Sequence, residues 1–225
     1  MTKLGIKKSL IPWIVVLLVL IIDQTSKILV KTNMTLGQSI AVFGDWFMLH
    51  FTENFGMAFG IEIPGEFGKL ILSLIRIAAL GLIGWYIVKL VRENAPTGLL
   101  VCLGLLWGGA AGNVIDSAFY GLIFSQSFFH QVATMFPEGG GYGTFLHGYV
   151  VDMFYAPIIH GTFPEWFPFK AGREFIFFSP VFNVADAAIT IGVFTMLIFQ
   201  KRFFHFESVK SKNSEPNTEK ADITS

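Results

Sequence analysis

The chain has 225 residues, no net formal charge and only 14% charged residues, against about 25% in a typical soluble domain. Hydrophobic residues make up 53% of it, and the zero net charge argues against nucleic acid as its main partner. The single cysteine, Cys102, excludes an internal disulfide and lies far from every histidine, which favours a packing role. The composition therefore predicts a protein whose surface faces lipid.

The first apolar stretch, residues 11–30, follows three lysines as a secretory signal would. It continues for about 30 Å of helix without a small-x-small cleavage site, so we expect a retained membrane span. Asp23 and Lys27 lie four residues apart on one helix face and predict a pair with each other or with another helix. Snorkelling to the membrane surface is an alternative that suits Lys27 well and Asp23 poorly.

The first long loop, residues 31–68, mixes polar, aromatic and glycine residues. Residues 40–49 and 50–59 have patterns typical of short strands. The second pattern contains Asn54 and Gly56, and a polar residue near a glycine suits either an ordinary turn or a close approach of the backbone to a ligand.

Two further apolar stretches, residues 70–91 and 98–119, predict the second and third spans. The second span carries Arg76 near its start. The third contains the run Gly-Gly-Ala-Ala-Gly, whose small residues allow helices to approach closely in lipid. Asn113 and Asp116 follow this run, three residues apart and therefore on one helix face.

The second long loop, residues 120–180, is rich in glycine and phenylalanine, and an acid, Asp152, enters one of its apolar pieces. The fourth apolar stretch, residues 181–204, opens with Asn183 and Asp186. A carboxylate inside a span costs roughly 2.5–3.5 kcal/mol, so it rarely persists without a function. The plain alternative is that the acid caps the exposed amides at the start of the helix.

The basic residues predict the orientation of these spans. Ten lysines and arginines lie in the N-terminus, the short second connection and the C-terminal tail, and four lie in the two long loops. This asymmetry places both termini in the cytoplasm and both long loops outside. The sequence thus predicts an all-α polytopic membrane protein with one domain over residues 1–204, followed by a disordered cytoplasmic tail at 205–225.

In this orientation every polar group within a span lies in the outer half of the bilayer. A small transporter is one hypothesis, because two Asn-x-x-Asp segments on oppositely oriented helices resemble an inverted repeat around an ion site. However, no predicted span is interrupted at its centre, and a transporter leaves the two large loops unexplained. A structural membrane scaffold leaves the acids without a purpose.

Acids dominate the chemistry available to such a site. No serine or cysteine lies beside a candidate base in the spans, and the HExxH zinc pattern is absent from the sequence. Two carboxyls that share a proton can activate water and protonate a leaving amine, which is aspartic proteolysis. Spacing alone leaves open which two of the four acids form the pair: Asp23, Asp116, Asp152 or Asp186.

Five short motifs occur in the order found in lipoprotein signal peptidases: Asp23-Gln24-x-x-Lys27, Glu53-Asn54-x-Gly56-x-Ala58-Phe59, Gly108-Gly109-Ala110-x-Gly112-Asn113-x-x-Asp116, Val150-Val151-Asp152 and Phe182-Asn183-x-Ala185-Asp186. Together they cover most of the chain. The sequence therefore resembles signal peptidase II, the bacterial aspartic enzyme that removes signal peptides from lipidated prolipoproteins.

The resemblance implies that Asp152 and Asp186 are the catalytic pair. It also implies substrate-binding or supporting roles for Asp23, Lys27, Asn54, Gly56, Gly108, Asn113, Asp116, Asn183 and Ala185. A small extracytoplasmic β-sheet in the first outer loop would cradle the substrate. The expected protein is a monomer of the bacterial inner membrane that acts near the outer face on lipidated prolipoproteins, contacts membrane lipids and needs no metal or other cofactor.

The sequence departs from the family pattern in two places. Ser117 follows Asp116 where many members have arginine, and Arg76 is a candidate to replace that charge. The second outer loop is enlarged, with 35 residues between Asp116 and Asp152. We expect the added part, residues 121–147, to be either a lid that closes on the substrate or a packing insertion without a role in turnover.

Overall fold

The structure is a computed structural model, and it describes residues 7–44, 46–54, 66–157, 159–162, 164–166, 172–177 and 180–203. Four main helices lie within these ranges: α1 (Ile11–Asn33), α2 (Glu66–Arg92), α3 (Thr97–Ile115) and α4 (Val184–Ile198). A π-helical turn, Asp116–Tyr120, and a short helical turn, Gly121–Ile123, extend α3. Gly56 and the tail at 205–225 lie outside the described residues.

Three of these helices are long and apolar enough to cross a membrane, namely Lys8–Asn33, Leu70–Arg92 and Thr97–Ile123. They match the first three predicted spans. The fourth helix, α4, has 15 residues, about 22 Å of helix, and is shorter than the predicted stretch 181–204. The prediction that this helix begins at residue 181 is wrong, because Asn183 caps it and the two residues before Asn183 form a strand.

Helix α3 is the centre of the bundle and packs against α1, α2 and α4. Its glycines permit the close approach that the sequence predicted. A Cβ atom on Gly108 would lie 3.2 Å from Val16 Cα in α1, and one on Gly109 would overlap the Ala185 carbonyl oxygen in α4. Gly108 is therefore a contact between helices, which lets α1 and α3 bring their polar side chains together.

A four-stranded antiparallel sheet lies where α1 ends and α4 begins. Its strand order is β1 (Ser39–Phe43), β2 (Phe47–Asn54), β3 (Val150–Tyr155) and β6 (Val181–Phe182). Strands β4 (Ile159–Thr162) and β5 (Glu174–Phe177) form a separate antiparallel pair. The fold is therefore not all-α outside the spans, since the second loop contributes strands as well as the first.

The first predicted strand, 40–49, exists with different bounds, and of the second, 50–59, residues 50–54 belong to β2 while 55–59 lie outside the described residues. The chain turns near Gly44, whose φ of +54° is a backbone conformation that glycine adopts without strain. This turn divides the predicted strand 40–49 into the end of β1 and the start of β2, with Phe43 opposite Phe47. Gly44 followed by Asp45 is a turn signal in the sequence, but the sequence-based prediction took the apolar residues on both sides of it as one strand.

Candidate active site

Strand β3 carries Asp152 into the centre of the sheet. Its neighbour on β2 is Thr52, and Asp152 itself is only 7% exposed. The preceding residues Val150 and Val151 are buried, and Val151 belongs to an apolar cluster with Val30 of α1 and Phe51 of β2. Asp152 is thus an acid held in largely apolar surroundings beside the first turn of α4.

Asn183 and Asp186 form a capping box at the start of α4. The Asn183 side chain accepts a hydrogen bond from the Asp186 backbone N–H at 2.9 Å, and Asp186 Oδ2 accepts one from the Asn183 backbone N–H at 3.3 Å. The plain alternative considered from the sequence, a helix cap, is therefore confirmed. Capping uses one oxygen of Asp186 and leaves its Oδ1 directed to other partners.

Two amide side chains connect Asp152 with Asp186. Asn183 Nδ2 donates to Asp152 Oδ1 at 2.7 Å, and Asn113 Nδ2 donates to Asp186 Oδ1 at 2.9 Å. The amides also contact each other, with 3.2 Å between Asn183 Nδ2 and Asn113 Oδ1. The structure therefore brings together the two acids and the two Asn-x-x-Asp segments, which are far apart in sequence.

Lys27 organises the other two acids. Its Nζ lies 2.9 Å from Asp23 Oδ2, 2.8 Å from Asp116 Oδ2 and 2.9 Å from Asn113 Oδ1. All three charged side chains are fully buried. The predicted pairing of Asp23 with Lys27 is confirmed, and Lys27 also reaches a second helix. Snorkelling to the membrane surface is excluded for both residues.

Asp23 and Asp116 also accept hydrogen bonds from the backbone of the site, Asp23 through its other oxygen and Asp116 through the oxygen that Lys27 contacts. Asp23 Oδ1 accepts from the Ala185 N–H at 2.9 Å, and Asp116 Oδ2 accepts from the Val151 N–H at 3.3 Å. Ala185 precedes Asp186, and Val151 precedes Asp152. Asp23 therefore holds the residue before Asp186, and Asp116 holds the residue before Asp152. Both contacts position the backbone.

These contacts separate the four acids into two kinds. Asp23 and Asp116 are enclosed and share the Lys27 ammonium, so neither can exchange a proton freely with a substrate. Asp186 is half-buried and lines an apolar cavity of about 360 Å³. Pro180, Phe182, Ala187, Thr190 and Ile191 form the rest of its wall. Asp152 and Asp186 are thus less enclosed by cationic partners than Asp23 and Asp116 are.

The environment of Asp152 favours its protonated form. Burial, and next the charge of Asp186, raise the pKa of Asp152 to about 7, while the Lys27 charge and the hydrogen bond from Asn183 oppose this rise. A pair in which one carboxyl retains a proton near neutral pH can provide one base and one acid at the same time.

Gln24 is a supporting residue that the sequence-based assignment left out, although it stands within the first motif. Its Nε2 donates to Asp116 Oδ1 at 2.8 Å and to Asp23 Oδ2 at 3.0 Å. Its Oε1 accepts from the Tyr120 hydroxyl at 3.2 Å. The signal in the sequence was its place beside Asp23, because an amide adjacent to a buried acid can satisfy the oxygens that Lys27 leaves open.

Arg76 lies beside Ser117, the residue that stands where many of the proteins this sequence resembles have arginine. Its Nη1 lies 3.5 Å from Ser117 Oγ, at the limit of a hydrogen bond. Its charge attracts the carboxyls of Asp186, Asp116 and Asp152. The structure therefore supports the hypothesis that a cation from α2 replaces one that would otherwise follow Asp116.

The remaining predicted residues differ in how closely they approach this centre. Asn54 is the last residue of β2, opposite Val150 and two residues from Asp152 along the register. Gly108 lies five residues before Asn113 in α3, at the contact between α3 and α1. Among the described residues, no group of three or more His, Cys, Asp and Glu side chains could hold a metal ion.

Comparisons with known proteins give a consistent result. The family model described as "Signal peptidase (SPase) II" matches residues 15–202. A lipoprotein signal peptidase of Porphyromonas gingivalis is 53% identical over 188 residues, which cover 83% of this chain and 81% of that protein. One of Amoebophilus asiaticus is 41% identical over 192 residues, covering 84% and 76%.

Solved structures show the same fold. A bacterial membrane enzyme determined by the in meso method at 2.3 Å matches with a TM-score of 0.53 and 23% identity, covering 92% of this chain and 93% of that one. A second, determined by the same method at 1.9 Å, matches with a TM-score of 0.51 and 25% identity, covering 83% and 90%.

Proposed function

Because the chain belongs to the signal peptidase II family of proteases in the bacterial inner membrane, we propose that it is an aspartic endopeptidase of lipoprotein maturation. It cleaves the signal peptide from diacylglyceryl-modified prolipoproteins immediately before the lipidated cysteine. The observation that carries this proposal is the hydrogen-bonded connection of Asp152 with Asp186 through Asn183 and Asn113.

The proposed reaction uses Asp152 and Asp186 together. A water molecule lies between the two carboxyls, and the ionised carboxyl accepts a proton from it as the water attacks the carbonyl carbon before the lipidated cysteine. The protonated carboxyl then donates its proton to the departing amine, which breaks the peptide bond. The pair shares its proton, so the two acids titrate as a unit.

We place this chemistry near the outer face of the membrane. In this arrangement α4, with the short helical segment that follows it, is a fourth span, both termini are cytoplasmic, and the sheet lies on the extracytoplasmic side. The ten-to-four distribution of basic residues supports this orientation. The apolar cavity beside Asp186 suits an apolar part of a substrate whose lipidated cysteine lies at the membrane boundary. The enzyme acts as a monomer surrounded by lipid.

A cleavage assay tests the proposed function directly. Purified protein in detergent, incubated with a diacylglyceryl-modified prolipoprotein, is expected to yield a shorter product with the lipidated cysteine at its N-terminus. The same prolipoprotein without the diacylglyceryl group is the control for substrate class. EDTA is expected to leave the rate unchanged, because two carboxyls supply both proton transfers. Inhibition that zinc reverses, or no cleavage at all, would contradict an aspartic peptidase.

The pH dependence of cleavage follows from the raised pKa of Asp152. Because the pair must retain one proton for the leaving amine, kcat/KM is expected to fall as the pH rises through about 7, the pKa of Asp152. The measurement is the initial rate at low substrate concentration across the neutral and alkaline range. A rate that stays constant well above neutral pH would show that Asp152 does not supply this proton.

A further inference from the structure

A second buried ion pair lies one helix turn beyond Lys27. The Lys31 ammonium contacts Glu53 Oε1, and both side chains are almost completely buried. Ser127 completes the cluster, since its Oγ accepts from Lys31 Nζ at 2.8 Å and donates to Glu53 Oε1 at 2.9 Å. The proposed chemistry uses none of these groups, although burying two charges is costly.

The walls of this cluster come from the insertion, residues 121–147. Lys31 Nζ lies 5.4 Å from the centre of the Phe124 ring and 5.1 Å from that of Tyr142, both within the range of cation–π attraction. The Tyr142 hydroxyl accepts from the Tyr149 N–H at 2.7 Å, at the entrance to β3. The insertion therefore supplies a hydroxyl, two rings and a link to β3.

The cluster acts on the strand that carries Asp152. Glu53 pairs with Val151 across the β2–β3 ladder, and Val151 immediately precedes Asp152. On the side of the helical bundle, Asp116 accepts from the Val151 N–H at 3.3 Å. The residue before Asp152 is thus held from two directions, by the Lys27 network through Asp116 and by the Lys31 cluster through Glu53.

The insertion itself is fastened along its length rather than attached at one hinge. The Gly143 N–H donates to the Gly121 carbonyl at 2.8 Å, and the Leu36 N–H donates to the Phe128 carbonyl at 3.0 Å. A Cβ atom on Gly141 would overlap the carbonyls of Gly121 and Leu122. Gly141 and Gly143 are therefore packed against the extension of α3, whereas nothing lies within 4 Å of a Cβ placed on Gly139 or Gly140.

We propose that the insertion is a fixed brace for the active site. Through Ser127 it holds the Lys31–Glu53 pair, which keeps β2 in register and sets the position of Asp152 relative to Asp186. Ser127, Lys31 and Glu53 are positioning residues for the reaction, and the brace rests on the proposed function.

Removal of one hydroxyl tests the brace with little risk to folding. Ser127→Ala is expected to lower kcat about three- to tenfold with KM unchanged, because small displacements of reacting groups slow the chemical step. Ser127→Thr, which keeps a hydroxyl, is expected to restore part of the loss. Ser125→Ala is the matched control, since the Ser125 hydroxyl bonds only within the insertion, to the Thr134 N–H and hydroxyl.

The pH profile separates positioning from a general loss of structure. Asp152 faces the charges of Asp186 on α4, Lys27 on α1, Asp116 beyond α3 and Arg76 on α2. Displacement of Asp152 away from Asp186 weakens their repulsion, so the alkaline fall in kcat/KM is expected to move to lower pH in Ser127→Ala. An unchanged kcat and profile, or changes matched by Ser125→Ala, would overturn the brace.

A disulfide distinguishes a brace from a lid. Leu36→Cys with Phe128→Cys joins two segments whose backbones are directly hydrogen-bonded, and the native Cys102 is buried in α3. A brace predicts that the oxidised and reduced forms cleave within about twofold of each other, since the closed arrangement is the working one. A large loss on oxidation that dithiothreitol reverses would identify a lid and overturn the brace.

The cleavage rate of the wild-type enzyme is the reference for the Ser127 and disulfide tests. If the wild type does not cleave the diacylglyceryl-modified prolipoprotein, the proposed function fails. If the wild type cleaves, but Ser127→Ala behaves as Ser125→Ala does or oxidation of the disulfide variant causes a large reversible loss, the function stands and the brace alone fails.

Discussion

Asp152→Asn and Asp186→Asn are each expected to reduce prolipoprotein cleavage by roughly 10²- to 10⁴-fold, the contribution typical of a general acid or base. Asparagine has nearly the shape of aspartate but can neither accept nor supply the transferred proton. In Asp152→Asn the side-chain oxygen can still accept from Asn183, so the architecture around the site is retained. The measurement is single-turnover cleavage, with membrane insertion checked in parallel.

The two variants are expected to differ in stability. Because the pKa of Asp152 is raised, its stabilising contribution is complete below its unfolded-state value near 4 and is lost as the pH rises through about 7. Asp152→Asn removes the ionisation and is expected to melt higher than the wild type in mildly alkaline buffer. Asp186→Asn has one side-chain oxygen where Asp186 uses two, for the Asn183 N–H and the Asn113 amide, so it loses one of these hydrogen bonds and is expected to melt lower.

Two further variants make the comparison interpretable. Glu138→Gln changes an exposed acid of the insertion and is expected to cleave as the wild type does. Asp116→Asn is expected to lose more stability than chemistry, because Asp116 contacts Lys27 and the Val151 N–H but not the proposed water. Near-wild-type turnover in either Asp152→Asn or Asp186→Asn would remove that residue from the mechanism.

Lys27→Met is expected to lower the free energy of unfolding by about 3–5 kcal/mol, the typical effect of removing one partner from a buried ion pair. The substitution leaves Asp23 and Asp116 buried together without their shared cation. The loss of stability is measured by thermal or denaturant unfolding in detergent. Cleavage is expected to fall with it, because Asp23 and Asp116 hold the backbone beside Asp186 and Asp152.

Neutralising the two acids is expected to recover part of this loss. In Lys27→Met combined with Asp23→Asn and Asp116→Asn, the side-chain oxygens can still accept from the Ala185 and Val151 N–H groups, and no charge is left unpaired. Lys201→Met, a change to an exposed lysine in the short helical segment after α4, is the control and is expected to alter stability by no more than about 0.5 kcal/mol. A Lys27→Met protein as stable as this control would contradict the network's proposed role.

The amino-acid sequence by itself determined the features that depend on neighbouring residues. Composition and apolar length predicted the three long helices, and the four-residue spacing predicted the Asp23–Lys27 pair. The three-residue spacing of Asn183 and Asp186 was compatible with both a cap and a site, and the structure contains the cap together with the connection to Asp152. Such patterns are readable because helix geometry relates residues three and four apart in every helix.

Tertiary structure alone decided which distant groups meet. Asp23 accepts a hydrogen bond from the Ala185 N–H, 162 residues away in the sequence. Asp116 accepts one from the Val151 N–H, 35 residues away. These contacts place Asp23 and Asp116 against the backbone beside Asp186 and Asp152, an arrangement that their spacing left open. Glu53 stands within one of the five motifs, but nothing in the sequence related it to Lys31 or Ser127, since the three lie on a strand, a helix and an insertion. Periodicity reports the geometry within one element, whereas the meeting of separate elements depends on how the whole chain packs.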